Sequence, residues 1–223
     1  EIAALEKDLE NIEAIWLLNK EWEENWNKWK SGSFKELQTS EMENLANTTF
    51  RKLSKFSRDL KDKNWEVVDV SKNRVDQFRR TMPLITDLKN RAMRDRHWSQ
   101  IKNEMAKQFE EDSEDFTLEK IIEMGFDQYA DSVNELSSAA TKELAIETTL
   151  AKMTEQWESV ELDLAQHKDK GHFKIRSTEE IFQVLEDNQV SLSTMKSSRF
   201  VKPFEQQVDQ WERDLSQIME TVE

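Results

Sequence analysis

His167 and His172 flank a turn that also holds Asp169, and two imidazoles with a carboxylate are ligand types that suit a transition metal. Their spacing matches no established ligand frame, so solvated turn residues are the simpler reading. The acidic run at 110–115, Glu-Glu-Asp-Ser-Glu-Asp, offers oxygen ligands of the calcium type but lacks the glycine and spacing of a calcium loop. It reads as a solvated connection. A nucleotide phosphate needs a glycine-rich loop whose backbone N–H groups close around it, whereas Gly32, Gly125 and Gly171 are isolated and no GxxxxGK[ST] occurs. His97 has no evident partner for nucleophilic or general-base work, and a structural hydrogen bond suits it better. Arg91, Arg94 and Arg96 can form bidentate pairs with carboxylates, and the chain's own 46 acidic residues are the nearest supply. These residues assemble no catalytic, cofactor-binding or metal-binding constellation, and ATP hydrolysis by this chain alone is not expected.

The elements that position them are helical. Only three glycines and two prolines occur in 223 residues, and 35% of the side chains are charged, which is the composition of long helices joined by few turns. Hydrophobic residues make up 36%, which suits an elongated bundle with much surface per unit of core. Lys and Arg number 32 against 46 Asp and Glu, a formal charge of −14, so nucleic acid and anionic membrane surfaces are disfavoured as partners. No apolar run approaches the roughly 18 residues of a membrane span, and the acidic start lacks the basic residues of a signal peptide. The absence of cysteine is compatible with a reducing, cytoplasmic compartment. Both ends fall within helical patterns, so a piece of a longer polypeptide is expected.

Ile2, Leu5, Leu9, Ile12 and Trp16 step by three and four, and Leu18, Trp22, Trp26 and Trp29 extend the stripe to Ser31-Gly32-Ser33. Three tryptophans at helical spacing read as core. Ser40 with Glu43 forms a candidate capping box for a second helix through Leu53 and Leu60. Residues 62–70 read as a loop or short extended segment. Pro83 suits the first turn of a helix that Thr81 would help to cap, and Leu84, Ile85, Leu88, Ala92 and Met93 continue it. Trp98, Ile101, Met105 and Phe109 prolong the same line. A further stripe runs from Leu118 through Phe126 and Ala140 to Trp157. The period then changes, because Val160, Leu162 and Leu164 alternate with acids, and Phe173 and Ile175 alternate after the turn at 167–171, which predicts a β-hairpin. Ser177 with Glu180 forms a second candidate capping box, and Pro203 opens a last helix in which Phe204, Val208, Trp211, Leu215, Ile218 and Val222 make a seam of coiled-coil type.

Residues 81–98, TMPLITDLKNRAMRDRHW, are the most specific stretch. Pro83-Leu84-Ile85, then Leu88-Lys89-Asn90, then Arg96-His97-Trp98 resemble the signature of the linker region of dynein heavy chains. Leu185-Glu186-Asp187, Met195 to Ser198, Phe200, Phe204 and Trp211 follow in the order that the family's linker shows. The resemblance spans roughly Trp16 to the C-terminus, and the strongly acidic balance and divergent first helix are more similar to axonemal, ciliary heavy chains than to the cytoplasmic type.

The resemblance implies that 1–223 is the N-terminal part of a dynein-type linker. Its implied divisions are an N-terminal helical hairpin at 1–61, central helices at 72–158 with the signature helix at 83–98, the β-hairpin at about 159–176 and C-terminal helices at 177–223. The expected fold is mainly α, an elongated multi-helix bundle rod with one short antiparallel hairpin. The implied function is mechanical: the segment docks across the ATPase ring of the same heavy chain and changes angle during the nucleotide cycle. ATP and Mg are expected only in the parent chain's ATPase modules. Implied partners are that ring and a microtubule-motor assembly, other dynein chains included, and the implied location is the cytoplasmic cytoskeleton, at the axoneme of a cilium or flagellum. The signature residues are Pro83, Leu84, Ile85, Leu88, Arg96, His97, Trp98, Leu185, Asp187, Met195, Ser198 and Trp211, with Trp98 and Trp211 expected as core anchors. A static rod of the spectrin or coiled-coil type is the alternative, although the hairpin counts against spectrin-like repeats.

Overall fold

The structure, a computed structural model, describes residues 2–168 and 171–222. Among these are eight α-helices and one two-stranded antiparallel sheet, a mainly α fold with a single hairpin. The chain divides into two compact units, residues 1–137 and 138–223.

In the first unit, α1 (Ile2–Ser31) packs on α2 (Thr39–Asp59) and α5 (Leu118–Glu123), and α2 lies along α3 (Glu66–Leu88). The stripe Ile15, Leu18, Trp22 and Trp29 is the buried face of α1. Trp22 stands edge-on to Phe78 with centroids 5.3 Å apart, and Trp29 stacks on the same ring at 5.5 Å, so these two tryptophans are core, whereas Trp26 is half-buried and meets Phe78 from the rim. Arg79 ties α3 to α2: its Nε donates to Asn47 Oδ1 at 2.8 Å, and its guanidinium lies 4.2 Å from the centre of the Phe50 ring.

Several sequence expectations change here. Residues 66–70 are already helical, because Val68, Ser71 and Val75 bring the buried face of α3 back to its first turn. Pro83 therefore does not open a helix; it sits exposed inside α3, and Thr81 Oγ1 donates back to Gln77 O at 3.1 Å instead of capping. A mid-helix proline costs about 3 kcal/mol, but Met82, Leu84, Ile85 and Leu88 are buried around it, and each such side chain contributes about 1.5–3 kcal/mol. Apolar burial outweighs the missing N–H. Nor is 83–98 one helix. α3 ends at Leu88, residues 89–94 form a turn, and α4 (Asp95–Met105) starts anew and closes at Ala106, whose φ is 51°. Phe109 thus lies beyond the helix it was expected to extend. The stripe after Leu118 is likewise broken, since Gly125 at φ 74° separates α5 from a 3₁₀ turn that leads into α6 (Ala130–Glu158). The Ser40–Glu43 capping box does not form, because α2 starts at Thr39 with Gln38 before it and no side-chain cap.

The second unit holds most of α6, the strands β1 (Asp163–His167) and β2 (His172–Ser177), α7 (Glu179–Lys196) and α8 (Glu205–Val222). Its core joins Ile146, Leu150 and Met153 of α6, Ile181, Leu185, Leu192 and Met195 of α7, and Val208 and Leu215 of α8. Phe204, Trp211, Ile218 and Val222 are half-buried against it, so the α8 seam packs as its spacing predicts. Pro203 lies in a short 3₁₀ turn that opens the last helix. The expected Ser177–Glu180 capping box does not form: Thr178 precedes α7 without a side-chain cap, and Ser177 Oγ accepts only the Glu179 N–H, at 3.4 Å. In the hairpin Leu164 faces Ile175 and Gln166 faces Phe173, with a bulge between Asp163 and Leu164.

Candidate functional site: the turn between α3 and α4

Residues 83–98 of the first unit run from the end of α3 through the turn at 89–94 into α4. Three polar side chains fix the turn. Asn90 Oδ1 accepts the Ala92 N–H at 3.0 Å, which makes a local side-chain turn that ends α3. The amide of the same side chain donates to Ser137 O at 3.0 Å and Ser137 Oγ at 2.9 Å, fastening the turn to the first part of α6. Beside it, Asn134 Nδ2 donates to Asp87 Oδ2 at 2.9 Å.

Lys89 anchors the opposite side. Its ammonium donates to Phe34 O at 3.1 Å and Lys35 O at 2.7 Å, in the short turn that follows α1. Burial, and then the charge of Arg91, hold its pKa below the usual lysine value. His97 secures the exit. Its Nδ1 accepts the backbone N–H of Arg94 at 3.0 Å, while the backbone N–H of His97 donates to Arg94 O at 2.8 Å. A buried imidazole, 4% exposed, thereby does for the start of α4 what a glutamate does in a capping box. Arg94 Nη1 in turn donates to Arg91 O at 3.1 Å.

Below the turn lies an aromatic cluster. Phe109 and Phe116 stack at 5.4 Å, Phe126 meets Phe109 at 5.4 Å, and Phe34 meets Phe116 edge-on at 5.4 Å. Trp98 touches Phe109 and Phe116 from the rim at 6.3 and 6.1 Å and is half-buried, so it edges the cluster where a core anchor was expected. The acidic segment is correspondingly more than a solvated connection. Its bounding residues Phe109 and Phe116 are buried, Glu111 pairs with Lys102 at 2.6 Å, and Phe116 O accepts the Phe34 N–H at 3.3 Å.

Of the residues expected at this signature, Leu84, Ile85, Leu88 and His97 are buried, while Pro83 and Arg96 are exposed. The other signature group belongs to the second unit. Leu185 and Met195 are in its core, Asp187 is exposed, Trp211 is half-buried, and Ser198 Oγ accepts the Phe200 N–H at 3.3 Å. The structure thus places the two sets in separate units. Lys89 and Asn90, read from the sequence only as part of the Leu-Lys-Asn motif, carry the site together with Phe34 and Phe116, to which the sequence had given no role. Asn90 alone had a readable signal, a turn-forming side chain just after the last apolar residue of α3.

The geometry is one of positioning, with the turn tied to the segment after α1, to α6 and to the start of α4. Among the described residues no three metal-ligating side chains stand together, and no helix is long and apolar enough to cross a membrane. Asp169, which completed the His167 and His172 reading, lies outside the described residues. The glycines serve as punctuation: Gly32 lies just past α1, Gly125 sits between helices and Gly171 closes the hairpin at φ 69°.

A family profile described as Dynein heavy chain, N-terminal region 2, matches residues 2–223. The chain is 50% identical to mouse dynein axonemal heavy chain 2 over 223 residues, all of this chain and 5% of that protein. It is 52% identical to the human protein of the same name over 219 residues, 98% of this chain and again 5% of the relative. Identity is 44% to the Dynein-1-beta heavy chain of the flagellar inner arm I1 complex of Chlamydomonas reinhardtii, over the whole chain and 5% of that relative. The chain therefore spans about a twentieth of the length of these relatives. A profile match across both units, with half the residues identical to axonemal heavy chains, places the chain in the dynein heavy chain family, in its N-terminal region 2.

Proposed function

We propose that the chain is a mechanical linker element of an axonemal dynein motor, which docks across the ATPase ring of its own heavy chain and changes angle during the nucleotide cycle. Movement along microtubules in a cilium or flagellum is the output, and ATP and Mg bind in modules beyond these residues. The segment carries force and does no catalysis. The observation that supports this reading is the clamped turn at 89–94. Lys89, Asn90 and His97 bind it to the turn after α1, to α6 and to the start of α4, so strain applied to one helix reaches the others without slippage. A change of docked state that is nearly complete needs a difference of about 5.5 kcal/mol between states, which a charged surface can supply through many weak contacts.

The test is made in the complete heavy chain. Replacing Lys89 with Met and Asn90 with Ala loosens the clamp, and microtubule gliding should slow by more than ATP turnover does. Gliding unchanged by the pair would favour the static scaffold.

A further inference from the structure

The hairpin of β1 and β2 has an apolar face that nothing among the described residues covers. Leu164 faces Ile175 and Gln166 faces Phe173, so these four share one side of the sheet, while Ala165 and Lys174 share the other. Asp163 faces Ser177, which leaves Arg176 as the extra residue at the bulge. Such alternation belongs to an antiparallel sheet with one face packed and one face wet. Here the apolar face is wet: Leu164, Phe173 and Ile175 are 50, 68 and 40% exposed. Two strands alone are marginally stable in water, so a cover over these three side chains would stabilise the hairpin as well as dock it.

Charge says what kind of surface fits. Residues 163–177 hold Lys168, Lys170, Lys174 and Arg176 against Asp163 and Asp169, four minus two or +2, in a chain whose total is −14. Arg176 pairs with Asp163 at 3.7 Å, long and exposed, and Lys168 and Lys174 are exposed with no ion-pair partner among the described residues. An apolar surface rimmed by Asp and Glu complements this hairpin. Size says where that surface lies. Three side chains bury far less than the roughly 800 Å² per partner of a stable interface between separate proteins. So small a contact stays filled when both surfaces share one polypeptide, because the tether holds them at an effective concentration on the order of millimolar. The chain spans 5% of its heavy-chain relatives, so nearly all of such a polypeptide lies outside these residues. We propose that the apolar face of the hairpin is an intramolecular docking surface, seated on an acid-rimmed apolar patch elsewhere in the same heavy chain. The contact goes beyond the motor reading, because a static segment would be held by it equally.

The complete heavy chain carries the test. Phe173 faces solvent, so photoreactive p-benzoylphenylalanine in its place leaves the fold intact. The chain is irradiated with and without ATP, and joined peptides are read by mass spectrometry. Chains grown on light and heavy isotopes are mixed first, which separates a bond within one chain from a bond between copies. The expected product joins position 173 to a peptide of the same chain outside residues 1–223, with Asp or Glu beside the joined residue. Raising salt to about 0.5 M should lower the joined fraction, an effect that needs no substitution. Lys174→Glu with Arg176→Glu should lower it more than about tenfold, whereas Lys174→Arg with Arg176→Lys should leave it unchanged. Joining to a separate protein, to a second copy, to residues within 1–223, or to nothing in either nucleotide condition would each overturn the proposal. A joined fraction indifferent to salt and to charge reversal would overturn it too.

Discussion

The imidazole Nδ1 of His97 accepts the backbone N–H of Arg94 at 3.0 Å, and through that one bond a buried ring sets where α4 begins. The turn before it has the same character. Asn90 and Lys89 each make contacts far along the chain, at Ser137 and at Phe34 and Lys35, and each also stands at the point where α3 stops.

His97→Ala should lower stability by about 2–3 kcal/mol, because it removes the cap acceptor and leaves the Arg94 N–H in a poorly solvated place. His97→Gln, whose side-chain oxygen can reach back to the same N–H, should recover part of the loss. Urea unfolding of the two variants measures the difference, and equal losses would show that the imidazole acts only by filling space.

Pro83→Ala should stabilise the chain. Pro83 is exposed in the interior of α3 and cannot donate to Arg79 O, so alanine restores a helical hydrogen bond at a solvent-facing site. A gain of about 1–3 kcal/mol is expected. A melting temperature that falls would mean that the proline is needed for the path of the helix into the turn.

Among the aromatic residues, Phe116→Ala should cost more than Trp98→Ala. Phe116 is 2% exposed and lies among Phe34, Phe109 and Phe126, whereas Trp98 covers the edge. Losses of about 3–5 kcal/mol for Phe116 and roughly 2 kcal/mol for Trp98 follow from the difference in burial. Thermal melts that reverse this order would move the centre of the cluster to the tryptophan.

Lys89→Met should cost about 1 kcal/mol near neutral pH, a figure reduced for solvent screening because the ammonium is only partly buried. Its pKa is lowered in the folded chain, so the folded state holds that proton less tightly than the unfolded state does. The penalty of the buried charge is therefore fully present below the folded pKa and is relieved as pH rises through it toward the unfolded value of 10.5. The stability of the native sequence relative to Lys89→Met should accordingly grow in the alkaline window below 10.5. A difference independent of pH would indicate that the lysine is solvated in both states.

What the sequence made legible follows from local chemistry. The alternation of Leu162, Leu164, Phe173 and Ile175 located the hairpin, and three- and four-residue steps located the buried faces of α7, α8 and the second half of α1, while the same steps from Ile2 to Trp16 fall on exposed residues. What stayed hidden depends on contacts between distant residues. Pro83 carries a start signal in any isolated segment, and only the burial of Met82, Ile85 and Leu88 carries the helix through it. Asn90 and Ser137 are 47 positions apart, and Lys89 and Phe34 are 55 apart, so no window of sequence contains both ends of either bond. Phe109 and Phe116 are masked by the acids between them, whose charge suggests solvent although both rings are buried.

The central claim, that this segment moves as a lever, is tested most directly by resonance energy transfer in the intact heavy chain. One dye is placed on the exposed Val190 of α7 and the other on the ATPase ring, and single molecules are followed as the nucleotide is changed. Two distances whose populations exchange with nucleotide state are predicted. A single distance that persists while ATP is turned over would contradict the lever and leave the segment a static rod.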